Sequence, residues 1–357
     1  MICVADVLAG LDRSALPDTL FLETGPVRIA VRCDTLMANE LRHHLADALA
    51  AEGPVSAVVD VLNGQKLEND PAWIDWAREP GKTGRKDAYH DLEDGRLVRK
   101  IRTGMTFLQS RKALLALGPC LEFPNQVINF INTQILNICK RDGWEICHAA
   151  AVTDGVKGLA VAGLSGGGKS TTILRMMDLA TSRFVTNDRL MVRATEDGVT
   201  CLGIPKNPRI NPGTIVGNPR LVSLLPETRR QELAQMPTDD LWRLEEKHDL
   251  FITDVYGPGR VQFTMPLSEF WVLNWSRRSA SPTRLQDANL ADRTDLLRAI
   301  MKSAGPFYQD TRGRFLRDDD LLCPDDYLAQ LKSVRLREVT GTIDFDALAL
   351  AGRELFS

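Results

Sequence analysis

The sequence lacks the features that would assign the protein to a membrane or to nucleic acid. No segment approaches the roughly 20 consecutive apolar residues that a membrane-spanning helix needs. The start, from Met1 to Asp6, has no basic segment of the kind that opens a secretory signal. A formal net charge of −3 gives no general basic excess for nucleic acid. We therefore expect a cytoplasmic protein that binds neither a membrane nor nucleic acid.

Closely spaced metal or disulfide ligands are also missing. The seven cysteines are widely scattered and contain no C-x-x-C pair, and the five histidines form no metal-ligand cluster. Neither a disulfide framework nor a zinc site is therefore expected. Internal repeats and low-complexity tracts are absent as well. What is present is the composition of a soluble globular protein, with 44% hydrophobic and 25% charged residues.

The chain of 357 residues is long enough for two domains. Its first part alternates strand and helix patterns. Apolar residues alternate with polar ones from Val27 to Val31, and leucines recur every four residues from Leu41 to Leu49. Residues 64–90 are rich in Lys, Asp, Gly and Pro and are expected to form an exposed excursion. We predict an α/β fold, with a smaller N-terminal α/β domain of unknown role over residues 1–142.

The most informative segment matches the phosphate-binding pattern G-x-x-x-x-G-K-[ST] in full. It follows an apolar strand pattern over residues 159–162 and precedes a helical pattern over residues 170–179, as the motif requires. Consecutive backbone N–H groups of such a loop converge on phosphate oxygens, and the helix adds its positive N-terminal end. The predicted nucleotide-binding residues are Gly163, Leu164, Ser165, Gly166, Gly167, Gly168, Lys169, Ser170 and Thr171.

Within this loop two side chains carry the predicted chemistry. Lys169 is expected to reach the β and γ phosphates, and Ser170 to supply a hydroxyl ligand for Mg²⁺. The string from Leu164 to Gly167 resembles the signature of transporter ATPases. It lies inside the loop, however, and no separate copy occurs elsewhere. A transporter ATPase is therefore not expected.

Two further residues are candidates for the site. Asp188 follows a short strand pattern about twenty residues beyond the loop, where such enzymes carry a metal-binding carboxylate. The alternative for Asp188 is a turn or helix-cap residue. His148 lies on the strand predicted just before the loop's strand, so it is a candidate catalytic residue. The alternative for His148 is a packed core histidine.

A proline-rich loop offers candidate substrate ligands. Its three prolines stiffen a segment that carries Lys206, Arg209 and Asn211, and rigid cationic loops suit anionic ligands. Arg260, in a later glycine turn, is added to this substrate-binding set. The charged stretch over residues 226–249 is interpreted as a solvated lid or interface helix, which contributes Lys247 as a further candidate.

The order of these motifs carries a family resemblance. His148, the Thr153-Asp154-Gly155 turn, the phosphate loop and the run Val185-Thr186-Asn187-Asp188 resemble HPr kinase/phosphorylase, and in particular the HPr kinase-related kinases of type B. The specific part covers residues 144–220. The resemblance implies that residues 143–357 form a P-loop kinase domain of the HPr kinase C-terminal type. It also implies a homo-oligomer, with the family's hexamers as precedent.

The resemblance further implies residue roles. The family's histidine that matches His148 positions groups at the transferred phosphate, and its two consecutive aspartates serve as general base and metal ligand. Here Asn187 replaces the first aspartate and Asp188 matches the second. An amide can orient a hydroxyl but cannot accept its proton at neutral pH. The base is therefore left open among Asp188, His148, Glu246 and Asp249, or base catalysis contributes little.

The leading hypothesis is a Mg²⁺-dependent kinase that transfers the γ-phosphoryl group of ATP to a hydroxyl of a small metabolite. Relatives of the HPr kinases include enzymes that act on free hydroxy compounds. The first alternative is a protein serine kinase acting on HPr or another carrier or partner protein. The second is a nucleotide-dependent switch with weak or no transfer activity. The motif recognises phosphates rather than the nucleobase, so ADP and pyrophosphate are alternative phosphate donors.

Overall fold

The computed structural model describes residues 2–78, 83–163 and 167–357. The chain is mixed α/β with several sheets. It divides into two compact units, of which the first comprises Met1–Trp144 and Ser303–Leu322, and the second Glu145–Lys302 and Cys323–Ser357. The expected second domain over 143–357 thus differs in one respect, because residues 303–322 lie in the first unit.

The first unit is built on one sheet. Among its described residues, nine strands are joined in the order β3-β1-β2-β4-β9-β8-β7-β6-β5. The neighbours β2/β4 and β4/β9 are parallel, and the other neighbouring pairs are antiparallel. The strands are β1 (Asp18–Thr24), β2 (Val27–Cys33), β3 (Leu49–Ala50), β4 (Ala57–Asn63), β5 (Ile74–Asp75), β6 (Asp87–Asp91), β7 (Gly95–Lys100), β8 (Thr106–Ser110) and β9 (Leu114–Gly118).

The helices of this unit are α1 (Val4–Ala9), α2 (Thr35–His44) and α3 (Pro124–Arg141), with a 3-10 turn at Ala46–Ala48. The periodic leucines predicted one helix through Leu49, but α2 ends at His44 and Leu49 pairs with Leu22 of β1. Sheet pairing overrides the helical period there. The predicted excursion over 64–90 likewise contains β5 and the start of β6, which pair with each other and extend the sheet.

Buried contacts explain why residues 303–322 belong to the first unit. The Phe307 ring packs against Phe107 and Phe130, with ring centroids 5.7 and 5.4 Å away. Asn137 of α3 donates a hydrogen bond to the Phe307 carbonyl at 2.8 Å. The fully buried Arg96 donates to the carbonyls of Pro306 and Leu316. None of these pairings has a local sequence signature.

The second unit has a central sheet of six strands among its described residues, in the order β13-β11-β12-β19-β21-β20. β12 is parallel to β19, and β19 is parallel to β21. A four-stranded sheet, β10-β14-β15-β18, and a small ribbon of β16 and β17 complete it. The strands are β10 (Glu145–Cys147), β11 (Ala149–Thr153), β12 (Gly158–Gly163), β13 (Arg183–Thr186), β14 (Leu190–Thr195), β15 (Gly198–Gly203), β16 (Arg209–Ile210), β17 (His248–Asp249), β18 (Thr264–Pro266), β19 (Glu269–Leu273), β20 (Arg284–Asp287) and β21 (Arg335–Thr340).

Both faces of the central sheet are covered, as the continuous apolar run of β12 predicts. Leu159 and Val161 pack in one apolar cluster with Ile173 of the following helix, while Ala160 and Ala162 lie in the cluster on the opposite face. The helices of this unit are α4 (Lys169–Met176), α5 (Pro212–Val216), α6 (Glu227–Ala234), α7 (Thr238–Arg243), α8 (Ile252–Tyr256), α9 (Thr294–Ile300), α10 (Pro324–Leu331) and α11 (Phe345–Leu355).

The charged stretch over 226–249 forms α6, α7 and β17 rather than one helix. The prolines at 226 and 237 stand at the N-caps of α6 and α7, so the stretch is broken where each proline disfavours a continuing helix. Across the described parts of the chain, no helix is both long and apolar enough to cross a membrane.

Candidate functional site

The predicted strand and helix are present on either side of the candidate phosphate-binding loop. β12 ends at Gly163 and α4 begins at Lys169. The predicted nucleotide-binding residues Leu164, Ser165 and Gly166 lie outside the described residues. The N-terminus of α4 thus follows the motif, and a helix N-terminus is a position that favours bound phosphate.

Gly168 shows why glycine is needed in this turn. It caps α4 with a φ of +95°, a left-handed conformation that side chains rarely adopt. A Cβ at this position would lie 2.8 Å from the Phe345 ring and 3.4 Å from Trp275. Trp275 also donates a hydrogen bond from Nε1 to the Gly167 carbonyl at 2.9 Å. The turn is thus held by aromatic residues from two distant parts of the sequence.

Lys169 is positioned at the mouth of this turn. Its Nζ donates to the Gly163 carbonyl at 3.1 Å, so the side chain reaches back to the end of β12. Burial lowers the pKa of Lys169, and the charge of Lys302 acts in the same direction, while Asp188 opposes both. A cation close to the loop and partly stripped of water interacts strongly with phosphate oxygens.

His148 and Asp188 meet, as the sequence motifs require. His148 lies at the break between β10 and β11, where the chain passes from one sheet to the other, rather than inside a strand. Its backbone N–H donates to the Ile300 carbonyl at 2.7 Å, which anchors the backbone at this residue. Its Nε2 is 3.3 Å from Asp188 Oδ1.

The electrostatics keep Asp188 ionised. Burial opposes its ionisation, but the hydrogen bond with His148 and the charges of Arg189 and Lys302 outweigh that cost and hold the pKa of the carboxyl well below its usual range. Arg189 Nε is 3.7 Å from Asp188 Oδ2. Half of the Asp188 side chain stays exposed. It is therefore an accessible carboxylate that is suited to bind a cation. Because its pKa is low, it is a weak proton acceptor.

Two asparagines that line the same cavity, Asn187 and Asn211, each have a buried Oδ1 without a described hydrogen-bond partner. A buried acceptor without a donor costs free energy unless a ligand or solvent satisfies it. Both atoms therefore fit a site whose donors or cations come from a bound molecule.

The predicted cationic loop reaches this region in part. Arg209 lines the cavity and pairs with Asp249 at 3.0 Å across the β16–β17 ribbon. Lys206 does not line it, yet its charge interacts with Asp188. Burial lowers the pKa of Lys206 to about 8, and the charges of Arg189, Arg209 and Lys247 contribute.

Arg260, by contrast, is not brought to the cavity. Its guanidinium donates to the backbone carbonyls of Ser182, Met177 and Leu179 at 2.7, 2.7 and 2.8 Å. Two of these carbonyls follow the end of α4, where carbonyl groups lack partners within the helix. The expectation that Arg260 binds substrate is therefore replaced by a structural role, because its donors are already used.

The remaining candidates for the base differ in their surroundings. Glu246 is held by Arg229 at 2.5 Å and does not line the cavity. The hydrogen bond from Arg229 lowers the pKa of Glu246. Asp249 is engaged by Arg209. His148 and Asp188 are the candidates that line the cavity next to the loop.

The cavity that unites these residues has a volume of about 790 Å³, within the range of about 300–1,000 Å³ typical of small-molecule sites. Sequence reasoning missed Phe345, which lines the cavity, and Trp275, which donates to the Gly167 carbonyl beside it. Trp275 follows β19, the parallel neighbour of β12, and this position is the signal that could have found it. The lining residues are His148, Gly167, Gly168, Lys169, Ser170, Thr171, Arg175, Asn187, Asp188, Arg209, Ile210, Asn211, Gly213, Thr214, Gly217, Leu241, Trp242, Arg243, Glu245, Lys247, Ile343, Asp344, Phe345 and Asp346.

Comparison with known proteins gives a distant structural likeness. The sequence matches no family model and has no significant match among curated proteins. Among solved structures, the chain is similar to the Hpr(Ser) kinase/phosphatase from Coxiella burnetii, at 9% identity and a TM-score of 0.29, over 58% of this chain and 92% of that one. A likeness this weak carries no argument about function. The type B family therefore stays a prediction from the sequence motifs.

Proposed function

We propose that the protein is a Mg²⁺-dependent kinase that transfers the γ-phosphoryl group of ATP to a hydroxyl of a small metabolite. One observation carries the proposal. A single cavity contains the lysine of a complete phosphate-binding motif, an ionised carboxylate 3.3 Å from a histidine, and a cationic wall. Phosphoryl transfer needs these parts together, because it depends on positioning and on neutralising charge.

The residues next to the phosphate loop would bind the nucleotide. The backbone N–H groups at the start of α4 and the Lys169 ammonium would hold the phosphates. Ser170 and Asp188 both line the cavity and supply the oxygen ligands that Mg²⁺ prefers. The unpartnered Asn187 oxygen and the tight Gly168 turn fit such an occupant. Mg²⁺, when bound, would neutralise charge on the phosphoryl oxygens.

Other lining residues of the same cavity would bind the acceptor. Asn187 lies beside Asp188 and can orient the acceptor hydroxyl, while the His148–Asp188 pair is the nearest group that can receive its proton. Arg209, Arg243 and Lys247 line the cavity as well. Their charges favour an acceptor that carries an anionic group.

A transfer assay tests the proposal. Purified protein is incubated with Mg²⁺, γ-labelled ATP and a cell extract, which is then separated by ultrafiltration into small molecules and macromolecules. The Lys169→Ala variant is the negative control. Lys332→Ala, which removes an exposed lysine of the same unit, is the matched control. We expect a labelled compound other than ATP and phosphate in the filtrate, above the level given by the extract alone, with the wild-type and Lys332→Ala proteins and not with Lys169→Ala.

The fractions separate the alternatives. Label on one retained protein would show a protein kinase acting on HPr or another partner. Binding of ATP·Mg²⁺ without label in either fraction would favour a nucleotide-dependent switch. Equal labelling by Lys169→Ala would contradict the assignment of the site.

A further inference from the structure

The first unit contains a second cavity that the proposed kinase activity does not use. It has a volume of about 590 Å³, and all its lining residues belong to the first unit. It is formed at the starts of β4 and β9, the turn before β9 and the end of α3. The lining residues are Ser56, Ala57, Val58, Gln109, Ser110, Arg111, Lys112, Ala113, Leu114, Gln134, Ile138, Arg141, Gln309 and Thr311.

The charge of this lining has one sign. Three cations, Arg111, Lys112 and Arg141, line the cavity, and no aspartate or glutamate is among its described lining residues. Lys112 is paired with Asp94 at 2.7 Å. Arg111 and Arg141 form no ion pair with any described carboxylate, and each instead donates to a backbone carbonyl. Their charges are thus available to an anion in the cavity.

The arginines are held in place by the chain around them. Arg111 donates to the Asp310 carbonyl at 2.8 Å, and Arg141 donates to the Gln309 carbonyl at 3.3 Å. The pKa of Arg141 is lowered by burial and by the nearby charge of Arg111. A partly buried Arg141 beside a second cation destabilises the unliganded cavity, and an anion relieves that cost.

Buried amides add directional hydrogen-bonding groups. Gln109, Gln134 and Gln309 are each at most 4% exposed, and all three line the cavity. Gln134 donates to Gln109 at 2.8 Å, and Gln309 donates to the Gly313 carbonyl at 3.0 Å. Oε1 of Gln309 is buried and accepts no hydrogen bond from the described residues. A ligand hydroxyl is a donor that would satisfy it.

We infer that this cavity binds a small hydroxylated organic anion. Arg111 and Arg141 bind its charged group, which is a phosphate monoester or a carboxylate, since both present oxygen acceptors to guanidinium groups. The glutamine amides bind its hydroxyl. The inference does not depend on the proposed kinase function, because no residue of the nucleotide cavity takes part.

A structural explanation of the arginines competes with this inference. Arg141 is the last residue of α3, where a cation stabilises the helix end, and its bond to Gln309 tethers residues 303–322. Arg111 tethers the same segment through its bond to the Asp310 carbonyl. Tethering does not explain why the described lining of this cavity carries cations and no carboxylate, or why the Gln309 oxygen is unpartnered.

Calorimetric titration of the full chain tests the inference. The probes are glycerol 3-phosphate and malate, which present the two anion types on small hydroxylated molecules. Each is titrated into Lys169→Ala protein, which weakens phosphate binding at the nucleotide cavity, and binding that Arg111→Gln/Arg141→Gln abolishes is assigned to the first-unit cavity. Arg111→Gln/Arg141→Gln is then added in that background. The matched control is Lys66→Gln/Arg102→Gln, which removes two exposed cations of the same unit outside the cavity.

We expect saturable binding of at least one probe, weakened at least about tenfold by Arg111→Gln/Arg141→Gln and unchanged by the control pair. The better probe identifies the anion type. Arg111→Gln alone, which alters an exposed side chain, should weaken binding in folded protein even if the double variant unfolds. Absence of binding by both probes, or binding that survives the loss of both arginines, would overturn the inference.

Discussion

The two cavities are lined by similar residue types but differ in the chemistry that we propose for them. Both are lined by cations and by amides, and each has at least one buried amide oxygen without a described partner. The cavity of the second unit adds a glycine turn at a helix start and the ionised Asp188. The cavity of the first unit has no described carboxylate in its lining.

The two cavities differ in the groups that surround their cationic side chains. In the second unit Asp188 shares its surroundings with Lys169, Lys206 and Lys302, so the site can hold a metal cation and phosphates together. In the first unit Arg111 and Arg141 face neutral amides, which suits an anion without a metal. The carboxylate of Asp188 therefore distinguishes the candidate reaction centre in the second unit from the candidate binding site in the first.

Replacing Lys169 gives the largest expected effect. Lys169→Ala removes the cation beside the loop, and phosphoryl transfer should fall by at least about 10²–10³-fold, the usual cost of losing one charge-stabilising donor. Turnover with γ-labelled ATP measures it. Anion binding by the first cavity should be unchanged in the same protein, and a parallel loss there would erase the proposed distinction.

Asp188→Asn tests whether the carboxylate is what makes the second cavity respond to magnesium. We expect at least about a 10²-fold loss of transfer and a higher Mg²⁺ concentration for half-maximal rate, because the amide keeps the shape and loses the charge. A Mg²⁺ titration of the initial rate provides the readout. An unchanged Mg²⁺ requirement would assign the ion to other ligands.

The two cavities should also differ in their response to pH. Lys206 has a pKa of about 8, so its cation is present below that pH and lost as pH rises through it. KM for an anionic acceptor should therefore rise, by up to about tenfold, between about pH 7 and pH 9.5. Arginine stays protonated over this range, so anion affinity at the first cavity should stay flat.

Lys206→Arg sharpens the pH comparison. A guanidinium stays charged, so the rise of KM above about pH 8 should disappear in this variant. Initial rates over the pH series, with Lys332→Arg as the matched control, measure it. A wild-type KM that does not change with pH would show that the charge of Lys206 does not influence acceptor binding.

Asn187→Asp has the smallest expected effect. It restores the pair of aspartates that the HPr kinase resemblance implies, so transfer should be preserved or raised by a few-fold. The rate with saturating acceptor is the measurement. A large loss would show that the amide of Asn187, rather than a second carboxylate, is required beside Asp188.

Local patterns predicted much of the framework. The alternation from Val27 to Val31 falls in β2. The apolar run before the phosphate motif is β12, and the helix after it is α4. These features depend on residues close together in the chain, so periodicity reveals them.

The sequence by itself identified the phosphate motif, His148 and Asp188 as candidate site residues, and some of the strands and helices. Only the tertiary structure decided that Phe345 and Trp275 lie next to Gly168 and that Arg260 donates to carbonyls near α4. It also decided that residues 303–322 belong to the first unit. Each of these outcomes depends on contacts between residues far apart in the chain. A local pattern records which side chains are available, but packing and hydrogen-bond partners decide what each one binds.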